Sequence, residues 1–171
     1  MMQAFGPDKT PSAIVTANVG SSVWLKAPKP DEKPVKGLKY DYYETAVTTV
    51  SGIKGNPVST GVVDKFDIGK ARQKKNFAFV FNGYLKVPED DVYTLYLNSN
   101  DGGVLFVDGF KMIDNDGAHG ALEKKVKVSL KKGFHPVSLR YFQLGGGSYL
   151  KVSWSSSAME KQEISNEYLF H

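Results

Sequence analysis

The sequence predicts a single all-β domain, built as an antiparallel sandwich or barrel and preceded by a short N-terminal extension. Segments with alternating apolar and polar residues recur along the chain between turn-forming residues, which is typical of such folds. Aromatic residues make up 12% of the 171 residues, and large flat side chains favour strands. Only residues 159–166 carry a weak helical pattern. A domain of this length buries enough surface to fold without a disulfide or a structural metal.

The extension is predicted to cover residues 1–36, as a linker or the end of a preceding domain, and the β domain residues 37–171. Residues 1–11 are polar and contain Gly and Pro, so we expect them to be disordered. Residues 12–26 include a short β-like run. Residues 27–36 contain three prolines, which stiffen the chain and remove backbone donors, as in a spacer.

The strands of the domain are predicted from an alternation of period two. In the segment 77–87 this alternation places Phe77, Phe79 and Phe81 on one face, which indicates core positions. Trp154 shares a face with its apolar neighbours and is also assigned to the core. Further strands are predicted at 40–46, 92–97, 104–107, 125–130, 136–142 and 149–154, with a two-residue hairpin turn at Asp108-Gly109.

Composition and charge argue against several classes of function. The chain has no cysteine, which excludes a disulfide scaffold and a thiol nucleophile. Its net charge is +4, but the basic residues are scattered, whereas a nucleic-acid-binding protein gathers them on one face. We therefore predict no nucleic-acid partner and keep a polyanion site as the weaker alternative. No apolar run approaches the roughly 18 residues of a membrane span, and residues 1–11 do not resemble a signal peptide.

Several motifs occur together in a distinctive order. They are GLKY at 37–40, FNGYLKVP at 81–88, SNDGG at 99–103, LFVDG at 105–109, GFHPV at 133–137 and LKVSW at 150–154. In this order and spacing they resemble the PA14 family, over about four-fifths of the chain. The resemblance implies a β-sandwich-like barrel and a module found in bacterial glycoside hydrolases, adhesins and toxins. Residues 113–120 are similar to the variety attached to secreted bacterial enzymes that degrade polysaccharides.

The resemblance also implies a site. Sugar-binding members of the family hold calcium with two adjacent aspartates joined by a cis peptide bond, and the ion binds two sugar hydroxyls. The pair corresponds here to Asn100 and Asp101, so the first carboxylate is replaced by an amide that offers an oxygen but no charge. Asn100 and Asp101 are accordingly predicted to bind glycan and calcium. The alternative is a plain turn between two strands.

Two further polar loops are predicted to border this site. Asp116 and His119 lie in the loop 114–120 and offer hydrogen bonds to sugar hydroxyls, although a solvated loop is equally consistent with the residues. Gln143 begins the segment 143–148, which matches a second binding loop of the family; a flexible hairpin loop is the alternative. Exposed aromatic rings that could stack on sugar are sought at Trp24, Tyr84 and Tyr149.

The chain is predicted to be no enzyme by itself. Its acidic residues lie in or beside turns and none lies in the apolar surroundings that a general acid requires, and His119 and His135 are not spaced as zinc ligands. We expect a carbohydrate-binding module of a secreted, periplasmic or cell-surface bacterial glycoside hydrolase. Its partners would be an oligo- or polysaccharide and the catalytic domain of the parent. The alternative is a structural module that docks on that parent or promotes its oligomerisation.

Overall fold

The computed structural model describes residues 23–30 and 33–171. These residues form two antiparallel β-sheets and one 3-10 turn, η1 (Val50–Gly52). The strands are β1 (Leu38–Glu44), β2 (Ser59–Val63), β3 (Phe77–Val87), β4 (Asp91–Asn100), β5 (Gly103–Val107), β6 (Phe110–Asn115), β7 (Leu122–Leu130), β8 (Gly133–Gln143), β9 (Tyr149–Ser155), β10 (Gln162–Glu163) and β11 (Leu169–Phe170). The predicted all-β sandwich is confirmed.

The two sheets differ in size. The large sheet has seven strands in the order β2-β1-β3-β8-β5-β6, with β11 paired to β3, and the small sheet has the order β10-β9-β4-β7. The chain crosses from the small to the large sheet between β4 and β5, through residues 101–102. This crossing brings the ends of β4, β6, β8 and β9 to one end of the sandwich, where the predicted site residues lie.

The core lies between the sheets and contains the residues that the alternation predicted. Phe77, Phe79 and Phe81 are at most 1% exposed, and Phe79 and Phe81 stack with ring centroids 5.4 Å apart. Trp154 of the small sheet is fully buried and stacks on Tyr93. The strand assignment of these segments follows from the burial of every second side chain.

The predicted turn at Asp108-Gly109 joins β5 to β6. Both residues have positive φ, 52° and 79°, as a two-residue hairpin turn of this type requires. The Asp108 carboxylate lies 2.7 Å from Nδ1 of the buried His135, whose Nε2 lies 2.7 Å from the Lys131 carbonyl oxygen. The turn is therefore fastened to β8 of the large sheet by a part-buried hydrogen bond between Asp108 and His135.

Two segments outside the predicted strands differ from or only partly test what the sequence predicts. The helical structure suggested for residues 159–166 was wrong, because Gln162 and Glu163 form β10 by pairing with Trp154 and Ser153. The β-like run at 12–26 lies mostly outside the described residues, and within it Leu25 forms a parallel bridge with Leu130. None of the described segments is a helix with the length and apolar character needed to span a bilayer.

Candidate functional site

The Asn100-Asp101 peptide bond lies where the chain leaves the small sheet, and it is cis. This is the geometry that the family resemblance implies for the calcium-binding pair. Asn100 is the last residue of β4 and pairs with Tyr149 at the start of β9. Paired residues of an antiparallel ladder project to the same side, so the half-buried Asn100 lies beside the Tyr149 ring, which is 42% exposed.

The carboxylate of Asp101 connects the other two predicted loops. Oδ1 accepts a hydrogen bond from the backbone N–H of His119 at 3.1 Å, and Oδ2 accepts from those of Leu144 and Gly145 at 2.8 and 3.4 Å. The residue is only 7% exposed. A nearly buried carboxylate needs such donors because it has lost its water. Asp101 therefore holds the loops 116–120 and 143–148 against the end of β4.

A glycine beside Asp101 allows this close approach. A Cβ atom at Gly102 would collide with the Phe142 ring and would lie 2.8 Å from the carbonyl oxygen of Gly117. The backbone of the 116–120 loop therefore rests directly on residue 102. This requirement explains why a glycine follows Asp101 independently of any ligand.

Gln143 lies at the site but not on its surface. Its side chain is 1% exposed, and its Nε2 donates to the Gly145 carbonyl oxygen at 2.6 Å. The Tyr141 hydroxyl lies 2.9 Å from Gln143 Oε1 and 2.5 Å from the Asn100 carbonyl oxygen, so two acceptors share its single proton. Burial and the nearby Asp101 charge raise the pKa of Tyr141 well above its usual range. Gln143 thus supports the loop from beneath and offers no free group to a ligand.

His119 organises its own loop. Nδ1 lies 2.7 Å from the Gly120 carbonyl oxygen, and Nε2 lies 3.0 Å from that of Asn115. Both partners are carbonyl oxygens, so the ring nitrogen that carries the proton donates a hydrogen bond to one of them. The ring is half-buried, and both nitrogens face the protein. It is the backbone N–H of His119, bonded to Asp101, that links this residue to the pair.

Asp116 points away from Asn100 and Asp101. Its Oδ1 accepts hydrogen bonds from the backbone N–H groups of Val50, at 2.9 Å, and of Gly117, at 3.0 Å. Asp116 thereby fastens η1 to the loop that follows β6 and faces a groove on the large sheet. The structure thus brings Asn100, Asp101 and Gln143 together and places Asp116 on the other side of the loop.

Sequence reasoning missed the buried Asn115. Its Nδ2 donates to Ser99 Oγ and to the Leu122 carbonyl oxygen, both at 2.9 Å. Since Ser99 belongs to the small sheet and Asn115 to the large one, this bond ties the two sheets together beneath the site. An Asn within an acidic turn-like segment carried no signal for that role. Its Oδ1 has no partner among the described residues.

The residues present are a poor match for the calcium site that the resemblance implies. Calcium takes roughly six to eight oxygen ligands, and carboxylates supply the charge. Here Asp101 is the one carboxylate of the pair, and both of its oxygens accept backbone N–H groups. Across residues 23–30 and 33–171, no group of three or more His, Cys, Asp or Glu could hold a metal ion. The two-carboxylate donor set is therefore not reproduced, and calcium at Asn100 and Asp101 stays a prediction.

Comparison with known proteins agrees with the motifs and the fold. A family model described as the PA14 domain matches residues 34–168. The chain belongs to the PA14 family. A solved PA14 sugar-binding domain from an RTX adhesin superposes with a TM-score of 0.68 at 16% identity, covering 80% of this chain and 99% of that one. The resemblance is therefore confirmed, and it extends to a domain that is described as binding sugar.

Other relatives of this PA14 chain are anti-sigma factor proteins and not adhesins. It is 26% identical over 98 residues to the anti-sigma-I factor RsgI3 of Acetivibrio thermocellus, covering 57% of this chain and 15% of that protein. An anti-sigma factor domain-containing protein from Clostridium clariflavum superposes with a TM-score of 0.69 at 24% identity, covering 84% of this chain and 52% of that one. The chain thus spans about half or less of these relatives.

The aromatic candidates for sugar stacking differ in exposure. Trp154 is buried, as predicted, and Tyr84 is half-buried with its ring edge-on to Phe134. Trp24 is 37% exposed and carries Lys131 Nζ 4.7 Å from its ring centroid. Tyr149 is thus the exposed ring that lies directly beside the Asn100-Asp101 pair.

Proposed function

We propose that this PA14 domain is a non-catalytic carbohydrate-binding module. In this proposal the glycan binds at the end of the sandwich, at the loops 99–103, 116–120 and 143–148. The observation that carries the proposal is the Asp101 carboxylate, which holds the other two loops in place through three backbone N–H groups beside Asn100 and Tyr149. A surface that is ordered before binding loses less conformational entropy when the ligand arrives.

The chemistry of this surface suits a sugar ring. The Asn100 amide both donates and accepts hydrogen bonds, as sugar hydroxyls do. The neighbouring Tyr149 ring offers an apolar face on which the C–H face of a pyranose can stack. His119 and Gln143 act from behind, by keeping their loops in place.

We place the module in a larger bacterial protein that is secreted, periplasmic or displayed at the cell surface. The family and its adhesin relative support an outer location. The motifs that resemble the PA14 family imply a glycoside hydrolase as the parent, with its catalytic domain as the partner. The likeness to RsgI3 and to the Clostridium clariflavum protein favours instead a parent of the anti-sigma-factor kind.

Titration calorimetry against a panel of mono- and oligosaccharides, in calcium and then in chelator, tests the site. We expect a glycan to bind and Tyr149→Ala to weaken it by about tenfold, the equivalent of about 1.4 kcal/mol. The matched control is Tyr96→Ala, which removes a ring from the same face of the same sheet farther along β4. Binding that disappears in chelator would support calcium at Asn100 and Asp101. Silence across the whole panel would reject the proposal.

A protein-docking module is the second candidate, and one observation favours it. Leu122 and Tyr149, on the two strands that flank β4, are 43% and 42% exposed. They lie at the same end of the small sheet but on opposite faces, since Leu122 pairs with Ser99 and Tyr149 with Asn100, so a docking partner would have to cover that whole end for the two to form one apolar interface. Gel filtration of the chain with the remaining part of its parent tests this candidate. A complex that Leu122→Ser abolishes, together with no glycan binding, would favour docking over sugar recognition.

A further inference from the structure

A groove of about 790 Å³ crosses the outer face of the large sheet, on the other side of the 116–120 loop from Asn100 and Asp101. Its floor includes one side chain from each of five neighbouring strands. In order across the sheet these are Lys39, Asn82, Ser138, Phe106 and Lys111, which are direct partners in the ladder. At a strand spacing of about 4.8 Å the row is about 19 Å long. That length suits a ligand that is extended.

The groove has defined walls. Val50 and Ser51 of η1 close one side, held in place by the hydrogen bond from the Val50 N–H to Asp116. Tyr84 and His171 lie at the other side. The lining combines apolar surface with many polar and charged side chains, and the volume is within the roughly 300–1,000 Å³ of ligand sites.

The charges of the groove are not balanced internally. Lys111 is paired with Asp114, 2.5 Å away, and Asp116 accepts backbone N–H groups. Arg140 and Lys39 are exposed, and neither forms an ion pair with any residue that the structure describes. Three cations, Lys39, Lys111 and Arg140, thus stand against the two carboxylates of Asp114 and Asp116, which leaves the groove with an excess of one positive charge and with Arg140 and Lys39 free of ion-pair partners in the described part of the chain. A guanidinium group offers paired donors that match the two oxygens of a carboxylate.

The position of the groove argues against a peptide that would bind by adding a strand to the sheet. A bound peptide strand gains affinity from main-chain hydrogen bonds at the edge of a sheet. This groove lies over β3, β8 and β5, whose main-chain groups are already paired with neighbours on both sides. Recognition here must use side chains, namely the rings of Phe106 and Tyr84 for stacking and the polar groups of the row.

We infer that the groove is a second glycan-binding site, which takes a short acidic oligosaccharide and binds its carboxylates with Arg140 and Lys39. The site does not depend on Asn100 or Asp101. It can therefore bind an oligosaccharide whether or not the loop end, defined as the loops 99–103, 116–120 and 143–148, also binds one. Its proximity to the loop end, from which one loop separates it, would allow two segments of one polysaccharide to bind at once.

Calorimetry with short oligouronides from alginate and from pectate, each beside its carboxyl-reduced form, tests this inference on the full chain. We expect the acidic form to bind at least about tenfold more tightly, since a hydrogen bond to a charged group contributes more than a tenfold factor. Arg140→Gln and Lys39→Gln should each remove about that factor. The matched control Lys127→Gln, which makes the same change on the small sheet, should alter affinity by about twofold or less.

Each remaining outcome decides against the groove. Equal affinity for the acidic and the reduced forms would reject the carboxylate class. If the Arg140→Gln and Lys127→Gln variants bound the oligouronide with equal affinity, the groove would be rejected as the binding site. Loss on Tyr149→Ala with no loss on Arg140→Gln would assign the sugar to the loop end and leave the function proposed above intact. Polyglutamate that binds as tightly as the oligouronide would show a general anion surface instead of a glycan site.

Discussion

Replacing Asp101 by Asn tests whether one carboxylate organises the loop end. The substitution keeps the shape of the side chain, but one acceptor oxygen becomes an NH₂ donor. That donor must face either the N–H of His119 or those of Leu144 and Gly145, because Asp101 accepts from both loops. With the residue only 7% exposed, water cannot readily replace the lost acceptor.

The expected magnitude follows from these contacts. A hydrogen bond to a charged group contributes about 1.5–3 kcal/mol, and an unpaired buried donor costs a similar amount. The Asn side chain can still accept from one loop, so we expect the free energy of unfolding to fall by about 2–3 kcal/mol. For a domain of this size that change lowers Tm by about 4–12 °C.

Chemical denaturation followed by tryptophan fluorescence measures this difference, since the fully buried Trp154 becomes exposed on unfolding. The matched control is Asp64→Asn, the same substitution at an exposed position after β2, where we expect a change within about 0.5 kcal/mol. If Asp101→Asn were no more destabilising than Asp64→Asn, the carboxylate would not hold the loops and the reasoning would fail.

Three further predictions concern the same end of the domain and the part-buried hydrogen bond between His135 and Asp108. Burial alone lowers the pKa of His135, but the hydrogen bonds to Asp108 and to the Lys131 carbonyl oxygen outweigh it and raise the pKa above its usual value. The stabilisation is therefore complete below about pH 6.5 and is lost as pH rises through the folded-state pKa; melting curves across this range should show it, and Asp108→Asn should flatten the slope. Gly102→Ala should lower the free energy of unfolding by about 1–3 kcal/mol through overpacking, measured by denaturation. Asn100→Asp restores the second carboxylate, so calcium should raise its Tm more than that of the unaltered chain.

Alternation in the sequence predicted most of the strands because each buries one face. The segment 77–87 is found unchanged as β3, and Trp154 is in the core. The strand β2 (Ser59–Val63) was missed, since it lies at the edge of its sheet with mostly exposed or half-buried side chains. A short edge strand that begins with Ser-Thr-Gly and ends with two valines has no alternating pattern of apolar and polar residues, and its pairing with β1 is a tertiary effect.

The sequence predicted which loops form the site, but it did not predict the directions in which their side chains point. The motifs correctly brought Asn100, Asp101 and Gln143 to one place. They could not show that Gln143 is buried or that Asp116 turns toward Val50, because these directions depend on partners far away in sequence. Turn-forming residues are chosen for local backbone geometry, and that requirement does not specify which side of the loop a carboxylate faces.

This chain has Asn100 where sugar-binding members of the family have an aspartate, and the difference has a physical consequence for the loop end. Where two carboxylates lie side by side, their repulsion has to be offset, and a divalent cation is one way to do so. In this chain the pair carries one charge, and backbone N–H groups from His119, Leu144 and Gly145 surround it. The loops are therefore held by hydrogen bonds within the protein. We accordingly expect their order, and the position of Tyr149 beside Asn100, to persist in chelator even if a bound glycan recruits an ion.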